Sequence, residues 1–112
     1  MYKYTYMQVK NITKLMMVFN PVKASSLGEY SKTHNNNSPY ESIVIMIVDV
    51  GNIIKQALPN KLEQQLFIDD CAGLNDTQIA YKNNISIDVI SYALKRIRNK
   101  VKRYIKRINE KN

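Results

Sequence analysis

The sequence predicts an all-α fold, a small helical bundle with a C-terminal helix-turn-helix and a long basic last helix. Apolar residues recur at spacings of three and four along most of the chain, which is the period of an amphipathic helix. Capping patterns precede several of these runs, and the few glycines and prolines mark only some of the joints. Since 112 residues suffice for one modest core, we expect residues 1–112 to form a single domain.

The first helix is predicted at about residues 5–20. Val9, Ile12, Met16 and Phe19 share one helical face, and the Asn-Pro pair at 20 and 21 ends it. Residues 22–38 are polar and lack an apolar period, which predicts a flexible connector.

A second, strongly apolar helix is predicted at residues 39–58. Ser38 can cap it, Pro39 suits its first position, and Glu41 can reach back to the cap. It is apolar on almost every side, so it should lie centrally or be half covered by another subunit. A β-strand at 43–48 is the alternative, because β-branched residues dominate there.

The run "NKLEQQLFIDDCAG" predicts a shorter third helix. Leu62, Leu66 and Phe67 should face inward, and Gly73 should end the helix in a left-handed turn. The adjacent Asp69 and Asp70 point in different directions on a helix, and we interpret them as its solvated end.

The composition argues against an enzyme. Cys71 and His34 are each the only residue of their type, so neither a Cys/His arrangement nor a metal cluster is expected, and no cofactor or small-molecule substrate is predicted. Cys71 is interpreted as a core residue. The most apolar run, "IVIMIVDVGNII", is shorter than the roughly 20 residues that span a bilayer, so we expect a cytoplasmic protein without a membrane partner.

The net charge of +8 lies entirely at the C-terminal end. Up to residue 94 eight lysines balance eight acids, whereas residues 95–112 contain nine Lys and Arg against Glu110 alone. Such concentration on one helix predicts a polyanionic partner.

Residues 75–94 have the steric plan of a helix-turn-helix. Asn75, with Gln78 three residues later, caps a helix that carries Ile79 and the small Ala80. Asn84 tolerates a left-handed turn, and Ser86 caps the next helix. The residues expected in the core are Ile79, Ala80, Ile85, Ile90 and Leu94.

The run "LPNKLEQQLFIDDCAGLNDTQIAYKNNISIDVISYALKRIR", residues 58–98, resembles region 4 of sigma-70 type factors. The short chain and its "SPYE" helix are also similar to small phage-encoded late-gene regulators of the ArpU and RinA type. The resemblance implies a sequence-specific regulator of transcription that binds double-stranded DNA, with direct contact to RNA polymerase left open.

In that arrangement the helix after Ser86 enters the major groove N-terminus first. Asp88, Ser91, Tyr92 and Lys95 would approach base edges or the groove walls, and Thr77, Gln78 and Lys82 would hold phosphates. Asp88 either accepts from a cytosine amine or only favours the helix N-terminus. The DNA-binding residues we expect are Thr77, Gln78, Lys82, Ser86, Asp88, Ser91, Tyr92, Lys95, Arg96, Arg98 and Lys102.

The last helix has an apolar seam at coiled-coil spacing, comprising Ile90, Leu94, Ile97, Val101, Tyr104 and Ile108. We expect it to pack within the chain, and a homodimer through the same bundle remains open. The main functional alternative is a sigma-like adaptor that binds RNA polymerase or another protein and binds DNA only nonspecifically. A basic helix for RNA or a membrane surface is disfavoured, because the seam is narrow and the aromatic residues are scattered.

Overall fold

The computed structural model describes residues 3–18 and 39–111, and all regular structure in these two ranges is helical. The predicted all-α fold is confirmed. The predicted connector at 22–38, His34 and the Ser38 cap lie outside the described residues. The helices are α1 (Tyr6–Val18), α2 (Pro39–Ala57), α3 (Lys61–Cys71), α4 (Asp76–Asn83) and α5 (Ile87–Lys111).

Helix α1 begins with a reciprocal cap that the sequence interpretation missed. The Gln8 amide donates to Thr5 Oγ1 at 3.1 Å, and the Thr5 amide donates to Gln8 Oε1 at 2.9 Å. Val9 is fully buried, while Ile12 and Met16 are partly buried against the core. The predicted inward face of this helix is therefore correct up to Met16.

Helix α2 occupies the predicted range, so the alternative strand at 43–48 is wrong. Its C-terminal half is buried through Val50, Ile53 and Ile54, but Ile45 and Val48 are about half exposed. The helix is thus central at one end only. Its apolar N-terminal half has more apolar surface than the described helices cover.

Helix α3 is capped by Asn60, whose Oδ1 accepts from the amides of Leu62 and Glu63. Leu66 and Phe67 are buried as predicted, but the inward orientation predicted for Leu62 is wrong, since it is 49% exposed. Leu62 lies in the first turn, where α3 borders an open groove beside α5 rather than the packed interior.

Two left-handed residues set the turns around α4. Gly73 has φ +94° after α3, and Asn84 has φ +55° after α4, as predicted for both. The predicted capping box of Asn75 and Gln78 is present at the start of α4. Ile85 is partly buried against the core, and its amide donates to the Ala80 carbonyl. These contacts fix α4 and α5 as two helices joined by a three-residue turn, 84–86.

Helix α5 has 25 residues, about 37 Å of helix, and packs on all four other helices. Ile90, Leu94, Ile97 and Val101 are fully buried as predicted. Farther along, the buried position is Ile105, which the predicted seam omitted, while Tyr104 and Ile108 are only partly buried. The seam turns because α5 meets several helices of its own chain instead of one parallel partner. Packing within the chain is therefore confirmed, and the homodimer remains a prediction.

Candidate nucleic-acid interface

The side chains of α4 and the start of α5 are held together by buried and partly buried acids on α3 and α4. Ser91 Oγ donates to Asp76 Oδ2 at 2.6 Å, which ties the first turn of α4 to the second turn of α5. Gln78 is occupied by the capping box, and the Val89 amide donates to Ser86 Oγ at 3.4 Å. Ser91 and Gln78, both predicted to contact DNA, are thus engaged within the protein.

Asp69 is the strongest of these anchors. Its side chain is 2% exposed and accepts hydrogen bonds from Lys82 Nζ at 2.6 Å, Asn83 Nδ2 at 3.1 Å and Gln65 Nε2 at 3.0 Å. Burial alone would raise the pKa of Asp69, but these hydrogen bonds hold it below its ordinary value. The interpretation of Asp69 as a solvated helix end is wrong, because the Gly73 turn folds α4 back over it.

Asp70 anchors the middle of α5. It accepts from Arg98 Nε at 2.9 Å and Arg98 Nη2 at 2.7 Å, a two-pronged contact that raises the pKa of the guanidinium. With its side chain only 10% exposed, Asp70 is not a solvated residue either. Close by on α5, Lys100 Nζ lies 3.0 Å from Glu63 Oε2. Arg98, predicted to bind DNA, therefore also has a structural role in joining α3 to α5.

The outer face of α5 carries cations that, unlike Lys82 and Arg98, are not held by acids of α3. Lys95, Arg103 and Lys106 are exposed, and within the described part of the chain they form no ion pair. With the exposed Asn99 they follow spacings of four, four and three, so they lie on one face opposite the buried seam. We call Lys95, Asn99, Arg103 and Lys106 the outer stripe. Arg103 and Lys106 are not among the residues that the sequence predicts for the site, although they continue from Lys95 at spacings of three and four, as the residues of the apolar seam do.

Two of the cations that the sequence predicts to bind DNA lie near aromatic rings. Arg96 Cζ lies 6.0 Å from the centroid of the exposed Tyr92, and Arg96 Nη2 lies 3.8 Å from Glu63 Oε2. Lys102 Nζ lies 4.9 Å from the ring centroid of Tyr6 on α1. Both cations remain exposed, so they keep donors available to a ligand.

The surface around the turn between α4 and α5 is exposed to solvent. Thr77, Ser86 and Asp88, which the sequence predicts to contact DNA, are exposed, and Tyr92 is 70% exposed. A shallow cleft between α4 and α5 is lined by Thr77, Ala80, Tyr81, Asn84, Ile85, Ser86 and Ile87. Tyr81, which is 91% exposed beside this cleft, was not predicted as a site residue. The "IAYKNN" run gave no signal that separated it from a core aromatic.

Comparisons of this chain with protein-family models, curated protein sequences and solved structures find no significant match. Among the described residues, none of the helices is both long and apolar enough to cross a membrane.

Proposed function

We propose that this chain is a sequence-specific, double-stranded DNA-binding regulator of transcription, in which α4, the turn and α5 act as a helix-turn-helix. The observation that carries the proposal is the outer stripe. Three cations without acidic partners continue directly from the exposed first turns of α5, while the acids of α3 neutralise the cations beside it. The resemblance of residues 58–98 to sigma-70 region 4 supports the same function.

The roles of the basic residues differ in this proposal. The first turns of α5 enter the major groove with Asp88 and Tyr92, and Lys95 approaches the groove wall. The stripe from Lys95 to Lys106 spans about 16 Å of helix and follows the phosphate backbone as α5 leaves the groove. Lys82 and Arg98 mainly fix the orientation of α4 and α5, because largely buried carboxylates hold them.

Selection of bound duplexes tests this function. The protein is incubated with fragmented genomic DNA of its source and with duplexes that have a randomised centre, at roughly 50 mM and then roughly 200 mM salt. Enrichment of one sequence that survives the higher salt supports the proposal. A two-fold symmetric sequence would additionally indicate a homodimer. Binding without enrichment that disappears with salt would contradict it.

A pair of charge-matched variants locates the surface. Lys95→Ala/Arg103→Ala/Lys106→Ala removes three cations of the outer stripe, and Lys14→Ala/Lys55→Ala/Lys61→Ala removes three exposed cations on α1, α2 and α3. For every phosphate that the variant no longer binds, the slope of log affinity against log salt should become shallower by about 0.9. We expect that change only for the outer-stripe variant. Equal effects of both variants would indicate that binding depends on the net charge of the protein and not on the outer stripe.

An adaptor that binds RNA polymerase or another protein is the second candidate, and one observation favours it. The groove between α3 and α5 is lined mostly by apolar side chains, including Leu62, Leu66 and Val89, of which Leu62 and Val89 are about half exposed. Such an interface would bury apolar surface without releasing counterions from DNA. Binding to RNA polymerase or another protein that is insensitive to salt and is abolished by Leu62→Ala would favour the adaptor.

A further inference from the structure

Exposed apolar side chains cluster in the first six residues of α5. Ile87 is 48% exposed, Val89 is 57% exposed and Tyr92 is 70% exposed, whereas the exposed positions after Tyr92 are mostly basic. Val89, Tyr92 and Arg96 form one row on the helix surface, and Asp88, Tyr92, Lys95 and Asn99 form the adjacent row. Tyr92 lies where the two rows meet, next to the start of the outer stripe.

The helix itself gains little from this arrangement. Valine is a weaker helix former than Lys, Arg, Glu or Gln, because its branched side chain loses rotamer freedom against the preceding turn. The exposure of Val89 and Tyr92 leaves apolar surface in water beside Lys95 and Arg96. A partner that combines apolar groups with negative charge would cover both features.

Few groups here can read bases through hydrogen bonds. Within residues 87–92, Ser91 donates its hydroxyl to Asp76, so Asp88 and the Tyr92 hydroxyl are the polar side-chain groups that remain open to a ligand. In the major groove the apolar group that a base pair presents is the C5-methyl of thymine. Side chains such as Val89 and the Tyr92 ring complement that methyl group.

We propose that Val89 and the ring of Tyr92 read thymine C5-methyl groups in the major groove, with the cations of the outer stripe on the flanking phosphates. This specificity rests on the proposed DNA-binding function. The selected sequence should therefore contain thymines at fixed positions, and the C5-methyl group of these bases should contribute to affinity.

The probe is the selected duplex, compared with the same duplex synthesised with deoxyuridine in place of every thymine. Deoxyuridine pairs with adenine identically and lacks only the methyl group. Affinity should fall about fourfold for each methyl group that is buried against these side chains, and thus about fifteenfold for two. Wild-type protein that binds both duplexes equally, or a selected sequence without thymine, would overturn the inference.

Variants assign the effect to the two side chains. Val89→Ala/Tyr92→Ala should bind the thymine duplex more weakly and bring the ratio between the duplexes close to one, whereas Tyr92→Phe should retain the ratio because the ring remains. Ile45→Ala, which shortens an exposed apolar residue on α2, should leave it unchanged. A ratio that persists in the double variant would contradict the assignment. Failure to select any duplex would instead contradict the proposed function itself, and with it this inference.

Discussion

Lys82 Nζ lies 2.6 Å from Oδ1 of Asp69, a carboxylate on α3 that is 2% exposed, so the ion pair anchors the last turn of α4 to the end of α3. The two partners differ in surroundings, because the side chain of Lys82 is 52% exposed. Asp69 also accepts from Asn83 and Gln65, and thus satisfies three donors at once.

Asp69→Ala and Lys82→Ala should therefore differ in cost. Removing the carboxylate deletes three partly buried hydrogen bonds, and we expect the free energy of unfolding to fall by about 3 kcal/mol. Lys82→Ala should lower it by less, about 1–2 kcal/mol. It leaves the buried carboxylate without its cation, but water screens the half-exposed ammonium and two donors remain. Urea unfolding of both variants measures the difference. Equal costs would mean that the carboxylate is not a shared anchor.

The stability of the protein should also depend on the protonation of Asp69. Its pKa is lowered in the folded protein, so its contribution is present above the unfolded pKa of about 3.9 and is lost as pH falls through the folded value. Asp69→Asn should be less stable than wild type at neutral pH and should approach it under acid. Unfolding midpoints across the acid range would reveal this convergence, whereas parallel curves would exclude it.

Alkaline pH should act through two buried groups packed near α3. Burial raises the pKa of Cys71 to about 12 and that of Tyr6 to about 12, so the folded protein retains protons that the unfolded chain releases. Stability should be fully present below about pH 8 and decline as pH rises from there towards 12. Cys71 should also resist alkylation until the protein unfolds.

Tyr6→Phe separates the two contributions. No described residue accepts a hydrogen bond from the buried Tyr6 hydroxyl, so its removal should raise the free energy of unfolding by about 1 kcal/mol at neutral pH. It should also reduce the alkaline loss, and the remainder should belong to Cys71. Chemical unfolding at neutral and alkaline pH measures both effects. A destabilised variant would show that the hydroxyl has a partner after all.

The predictability of the fold depends on how local each signal is. The cap of α4, the left-handed Asn84 and the seam through Val101 could be predicted, because each depends on residues within a turn or two of one another. Leu62 and Ile105 could not, since their burial depends on where α3 and α5 meet the other helices.

The candidate site was less predictable for the same reason. Asp70 and Arg98 are 28 residues apart in sequence, and no local pattern shows that this acid anchors that cation. The charge of α5 identified the helix, but the fold determines which of its cations are free. Hydrophobicity alone would assign Tyr81 and Val89 to the core. Both are exposed because of where the turn between α4 and α5 lies.

That turn leads to the last prediction. Asn84 has φ +55° and ψ +46°, a conformation that costs most non-glycine residues roughly 1 kcal/mol or more. Asn84→Ala should therefore lower the free energy of unfolding by about 1 kcal/mol, while Asn84→Gly should be equal to wild type within a few tenths of a kcal/mol. Asn52→Ala, at an exposed position inside α2, is the matched control and should be neutral or slightly stabilising. Thermal and urea unfolding provide the measurement, and an Asn84→Ala variant as stable as Asn84→Gly would show that the turn between α4 and α5 does not require a left-handed residue.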